Sequence, residues 1–381
     1  MRREPVALNS KIAAALLVFL SLVTAAQSPS GLKDAYKNSF LIGTALNRAH
    51  IYGEDARGVA LIKQNFNAIS PENALKWESI HPQLHRYDFE AADRYVKFGV
   101  ANHMFIVGHT LVWHNQTPAW VFQDGKGKPL SRDKLLRRMR DHVHKVVGRY
   151  KGRIDGWDVV NEAFEEDGTL RQSKWMKIIG EDYITKAFQY AHEGDPKAEL
   201  YYNEYNLEKP AKRRGVIELI RKLKAQGVQV SAVGLQEHDG LDWPSLEEVD
   251  ATISDLAELG VKVNITELDI NVLPQATSGV TAEVTAKAEA RPNLNPYADG
   301  LPDSVQQELA KRYAGLFGVF LKHRGVISRV SFWGLADGDS WLNNWPVRGR
   351  TNYPLLFDRQ GKPKPAYDAV INVALGQATQ P

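Results

Sequence analysis

Cysteine is missing from all 381 residues. That excludes disulfides and lipid attachment through a thiol, whichever compartment the chain occupies. A surplus of charge of either sign is also missing. The formal net charge is +3, and Arg2, Arg3, Glu4 and Lys11 supply +2 of it, leaving +1 for the rest. A near-neutral chain offers no electrostatic basis for binding nucleic acid or an anionic membrane. No G-x-S-x-G elbow, no Gly-rich phosphate loop and no H-E-x-x-H helix motif occurs. His109 and His114 stand five apart, but with no cysteine and no third ligand at a characteristic spacing, neither a metal nor another cofactor is expected.

Long apolar runs are scarce as well. Ile12–Val23 is 12 residues, short of a transmembrane span. Arg2, Arg3 and Lys11 surround its start, and Thr24-Ala25-Ala26 follows as a small-residue cleavage site. Residues 1–26 are therefore expected to be an export signal, with an uncleaved anchor as the alternative. The product is then secreted or periplasmic, with no membrane attachment after cleavage, and residues 27–381 form one domain.

What is present is an ordinary globular composition, 43% hydrophobic and 24% charged. Beyond residue 30, short apolar runs alternate with longer amphipathic ones. Strands are predicted at Phe40–Leu46, Ala68–Ser70, Met104–His109, Ile154–Asn161, Glu199–Asn203, Val230–Leu235, Lys262–Thr266 and Arg329–Trp333. Helices are predicted at Asp55–Phe66, Phe89–Ala101, Arg132–Tyr150, Lys174–His192, Ala211–Ala225, Leu246–Leu259, Ser304–Lys322 and Pro365–Leu375. Ser245 with Glu248 reads as a capping box, and Asp303 with Gln306 as a similar start. Eight strand–helix repeats imply an α/β fold, a single closed (β/α)8 TIM barrel, with a doubly wound open sheet as the alternative. Val272–Pro302 is the one long irregular segment, and it is expected to flank the catalytic face.

In such a barrel, chemistry sits at the C-terminal ends of the strands. Two strands there run from apolar residues straight into a glutamate: Trp157-Asp158-Val159-Val160-Asn161-Glu162 and Lys262-Val263-Asn264-Ile265-Thr266-Glu267-Leu268-Asp269. One such glutamate could merely open a helix and complement its dipole. Two suggest a facing carboxyl pair, the equipment for breaking a glycosidic bond. The other strand ends supply tryptophan, asparagine, glutamine, histidine and lysine. Tryptophan offers a flat apolar surface to a sugar ring, and the polar groups match its hydroxyls.

Taken in order, Glu72-Asn73…Lys76-Trp77-Glu78, Gly108-His109-Thr110-Leu111-Val112-Trp113-His114, Trp157–Glu162, Gln236-Glu237-His238, Ile265–Asp269 and Phe332-Trp333-Gly334 resemble glycoside hydrolase family 10, the retaining endo-1,4-β-xylanases. The likeness runs from about residue 32 to residue 372. It implies Glu162 as acid/base and Glu267 as nucleophile, with His238, Asp269 and Asn161 in support. It implies sugar contacts from Glu72, Asn73, Lys76, His109, Trp113, Gln116, Gln236, Trp333 and Trp341, and contacts on the leaving-group side from Tyr205 and Asn206. The expected partner is xylan or its oligosaccharides, acted on by a monomer. Rival readings are the same chemistry on another β-1,4-glycan or on aryl xylosides and short oligomers, and a non-catalytic xylan binder. The loop around Asp337–Arg350 varies in the family and Val272–Pro302 looks longer than usual, which leaves the outer subsites open.

Overall fold

A computed structural model of the chain describes residues 1, 29–276 and 287–377. The expected export signal and the middle of the Val272–Pro302 segment lie outside these residues.

Nine strands are described: β1 (Leu41–Leu46), β2 (Ala68–Pro71), β3 (Phe105–Trp113), β4 (Gly156–Asn161), β5 (Glu199–Glu204), β6 (Ala232–Leu235), β7 (His238–Gly240), β8 (Lys262–Asn271) and β9 (Ile327–Phe332). All pair in parallel, and the β6–β8 pairing closes the ring through β9 to β1. The result is an eight-membered (β/α)8 barrel, with β7 as a short extra strand alongside Asp269–Asn271. Helices cover the outside, so the strands are buried on both faces, which is why they read as unbroken apolar runs. Where the packing is closest, glycine is needed: a Cβ on Gly108 would lie 2.1 Å from the ring of the fully buried Trp157.

Of the two predicted helix starts, one forms as expected and the other does not. Ser245 and Glu248 form the reciprocal capping box, at 3.2 and 2.8 Å. The helix Asp303–Lys322 instead begins with Pro302 as its cap and no side-chain cap, so Asp303 is the first helical residue.

Three elements differ from the predicted ones by more than two residues. The single helix expected over Lys174–His192 is two, Lys174–Ile179 and Tyr183–Gly194, broken at Gly180 with φ 96°. Strand β3 continues past His109 to Trp113, and β8 past Thr266 to Asn271. Both extensions contain a register shift against a neighbour, between His109 and Val112 and between Ile265 and Leu268. Such irregularities re-aim side chains at a barrel rim. Here they lie where the functional residues sit.

Candidate active site

Five described non-glycine residues have positive φ, and four follow strand ends on one face of the barrel: Gln116 (45°), Glu162 (57°), Asn206 (55°) and Glu237 (57°). Left-handed backbone costs an ordinary residue free energy and concentrates at functional sites. At Glu162 it turns the chain out of β4, with the Glu162 N–H donating to Asn203 O at 2.9 Å.

The Glu162 carboxylate is buried and accepts three hydrogen bonds from neutral groups. Trp113 Nε1 donates to Oε2 at 2.8 Å; Gln236 Nε2 and Asn161 Nδ2 donate to Oε1 at 2.9 and 3.1 Å. Burial, with the negative charges of Glu204 and Glu267, outweighs these donors and pushes its pKa up to about 7.

Glu267 has a different shell. Asn203 Nδ2 donates to its Oε1 at 2.8 Å, and His238 Nε2 stands 3.4 Å from its Oε2. Nδ1 of His238 lies 2.9 Å from Asp269 Oδ1, and Trp341 Nε1 donates to Asp269 Oδ2 at 2.8 Å. Glu267 and Asp269, two apart on one strand, thus hold one imidazole between them. Burial opposes a charge on that ring, but the two carboxylates prevail and raise His238 to about 10. Burial likewise works against charge on Glu267. The hydrogen bond from His238, with the fields of His109, His238 and Lys76, overcomes it and holds Glu267 below the usual glutamate range.

A cleft of about 260 Å³ joins these groups. Its walls include Glu72, Asn73, Lys76, His109, Trp113, Gln116, Asn161, Tyr205, Gln236, Trp333 and Trp341 as well as both glutamates, His238 and Asp269. Lys76 Nζ lies 5.0 Å from the Trp113 ring centre and donates to Asn73 Oδ1 at 3.2 Å. Gln116 Nε2 donates to Asn73 Oδ1 at 3.2 Å and Glu78 Oε1 at 2.9 Å. His109 is fixed by Asp158 at 3.0 Å and meets Trp333 edge-on. Trp341 stacks on Trp345 with ring centres 4.5 Å apart. Among the described residues, no group of three histidine, aspartate or glutamate side chains is placed to hold a metal ion.

Asn206 is the exception among the expected residues. It does not line the cleft, and its amide binds Glu166 at 3.3 Å. Residues the sequence reading did not assign also contribute: Trp243, Gln275, Trp345 and Arg350 in the wall, and Asn203 beneath it. Asn203 Nδ2 reaches both Glu267 and Asn161 Oδ1, 2.9 Å away, so amides connect the two carboxyl groups. Its place at the end of β5, beside Glu204-Tyr205-Asn206, was the available signal.

One buried carboxyl biased toward keeping its proton and one biased toward losing it, both facing the same cleft, meet the demand of splitting an acetal between sugars. On this barrel they define a glycoside hydrolase. The family model described as glycosyl hydrolase family 10 matches residues 31–373, and the chain belongs to that family. It is 45% identical to endo-1,4-beta-xylanase A of Xylanibacter ruminicola, over 94% of this chain and 97% of that one. It is 42% identical to a beta-1,4-xylanase of Dictyoglomus thermophilum, over 89% and 90%. Among solved structures, a family 10 endoxylanase retrieved from a sugarcane soil metagenome superposes with a TM-score of 0.88 at 50% identity, covering 90% of this chain and all of that one.

Proposed function

We propose that this is a retaining endo-1,4-β-xylanase, exported and monomeric, with Glu162 as acid/base and Glu267 as nucleophile. The observation that carries the reading is the opposite bias of the two buried glutamates. Glu267, its oxygens held by Asn203 and His238, attacks the anomeric carbon of a bound xylosyl unit. Glu162 delivers its proton to the glycosidic oxygen as the C–O bond breaks. The covalent glycosyl-enzyme is then opened by a water whose proton returns to Glu162, and Glu267 leaves as a carboxylate. Gln236 and Asn161, both bonded to Glu162, supply amides for hydrogen bonds to the sugar hydroxyls.

The xylan preference is supported by the names of the relatives and by the three bulky, rigid tryptophans in the cleft wall, Trp333, Trp341 and Trp345, side chains of the kind that would crowd a hydroxymethyl group. Excluding such a group is worth about 10- to 200-fold at one subsite. The kcat/KM for an aryl xylobioside should exceed that for the aryl cellobioside by at least about a hundredfold; a near-equal ratio removes the xylanase assignment. Proton NMR early in hydrolysis should show the β-anomer first, and an initial α-anomer removes the nucleophile assignment. Glu162→Ala should retain the first step on activated aryl glycosides and yield a β-glycosyl azide with azide. A β-glycosyl azide formed by Glu267→Ala instead reverses the roles. Export rests on the N-terminal residues alone, and a cell-associated protein still beginning at Met1 would refute it. Sedimentation as a dimer would refute the monomer.

A further inference from the structure

Glu204 closes β5 with no exposed surface and does not line the cleft. A buried carboxylate that touches no substrate needs a reason to be there. Four donors converge on it. Phe164 N and Tyr202 OH bind Oε2 at 3.2 and 2.7 Å; Tyr205 N and Lys212 Nζ bind Oε1 at 3.2 and 3.0 Å. Lys212 is itself fully buried, with Glu166 as its other carboxylate at 3.3 Å. One of the Glu204 partners, Phe164, belongs to the turn carrying Glu162, two residues beyond it. A second, Tyr202 on β5, reaches the same turn by accepting from the N–H of Ala163, one residue beyond Glu162, at 3.0 Å. The turn so held is the one in which Glu162 takes its left-handed backbone.

We propose that Glu204 is a positioning residue for the acid/base, fastening the Glu162–Phe164 turn to β5 and presenting a fixed negative charge behind Glu162. The inference rests on the reading of Glu162 as acid/base. The titratable groups around Glu204 are Glu162 and Arg171 on the β4 turn, Tyr202 and Tyr205 beside it in the chain, Tyr183 on the helix Tyr183–Gly194 and Lys212 on the helix Pro210–Ala225. The charge of Glu204 is the second cause, after burial, of the rise at Glu162, ahead of Glu267. A proton retained on Glu162 at neutral pH is one it can give to a leaving oxygen. On this view Glu204 matters for substrates that need an acid and little for those that do not.

Glu204→Gln keeps the shape and removes the charge. With phenyl xylobioside, a poor leaving group, the alkaline limb of kcat/KM should move to lower pH than in the wild type. With dinitrophenyl xylobioside, activity should stay within about threefold, since the nucleophile is untouched. An unmoved limb, or equal losses on both substrates, overturns the proposal. Glu204→Asp keeps the charge and retracts it from the turn, so it serves if the glutamine variant does not fold. Its limb should stay in place while kcat for the phenyl substrate falls. A displaced limb, or no change in either quantity, is again fatal. Glu162→Ala with azide and an activated aryl glycoside separates the two readings: a β-glycosyl azide upholds Glu162 as acid/base whatever Glu204 does, and its absence removes that reading instead.

Discussion

Glu162 and Glu267 are buried alike, 6% and 5% exposed, yet titrate in opposite directions. The Glu162 side of the cleft offers three neutral donors and a second carboxylate behind them. The Glu267 side offers one neutral donor, an imidazolium shared with Asp269, and the lysine Lys76. Counting hydrogen bonds alone would predict Glu162 to be the more acidic. The difference teaches that, at equal burial, the charge of the neighbours decides. Activity should therefore fall above about pH 7 as the acid loses its proton, and on the acid side only below the usual glutamate range.

The bluntest way to break the comparison is to delete each carboxyl. Glu267→Ala should lower kcat by at least about 10⁴-fold on every substrate, because nothing replaces the covalent step. Glu162→Ala should lose a similar amount only where the leaving group needs a proton. A Brønsted plot against leaving-group pKa, measured for both variants, checks this; parallel plots would erase the distinction. A smaller change keeps both glutamates and removes the cation. His238→Asn should cost about 10- to 150-fold, the worth of a hydrogen bond to a charged group. Glu267 loses its strongest support for ionisation, so the acid limb must move to higher pH while the alkaline limb stays. A pH profile with an unmoved acid limb would show that His238 acts by shape alone.

These contrasts were unevenly legible in the sequence. Parallel strands buried on both faces read as plain apolar runs, so the eight repeats and the glutamates ending β4 and within β8 stood out. The spacing of Glu267 and Asp269 implied a shared face, and the structure puts His238 between them. Asn203 was hidden because an asparagine near a strand end has no distinctive pattern beyond that place; its role exists only once β4, β5 and β8 lie side by side. The break at Gly180 was hidden because apolar spacing runs on from Ile179 to Ile184. Asn206 was assigned to the leaving-group side by its strand end and by resemblance, and its bond to Glu166 was not legible in the sequence.

Trp341 tests whether the cation's support reaches beyond Asp269. Its ring walls the cleft, and its N–H holds Asp269. Trp341→Phe retains an aromatic surface and removes the donor, so it should cost about tenfold or less, shared between xylo and gluco substrates. Trp341→Ala should in addition narrow the xylo-to-gluco ratio, by losing more on the xylo substrate. If Phe narrows the ratio as much as Ala does, the N–H rather than the ring sets specificity.

The smallest expected effect is on stability, and it comes from the residue between Gln236, which serves Glu162, and His238, which serves Glu267. Glu237 is buried, and among the described residues neither of its oxygens has a donor. Its neighbour is the Glu208 carboxyl, a contact that is a hydrogen bond only while one of the pair holds a proton. Asp239 lies close too, with Arg312 bound to it at 3.0 Å, and Lys212 and Arg213 face Glu208. Burial, then Glu208 and Asp239, raise Glu237 well above its ordinary 4.5. A carboxyl raised in the folded state contributes its full stability below the unfolded value and loses it as pH climbs toward the folded one. Glu237→Gln is neutral at every pH and can still donate to Glu208. Its melting temperature should match the wild type near pH 4.5 and exceed it increasingly toward pH 9, by about 2 °C for each kcal/mol regained. Calorimetric scans across that range decide the matter. A gap that does not grow with pH would mean that Glu237 is no more reluctant to ionise folded than unfolded, and that the turn between the two catalytic sides carries no proton of its own.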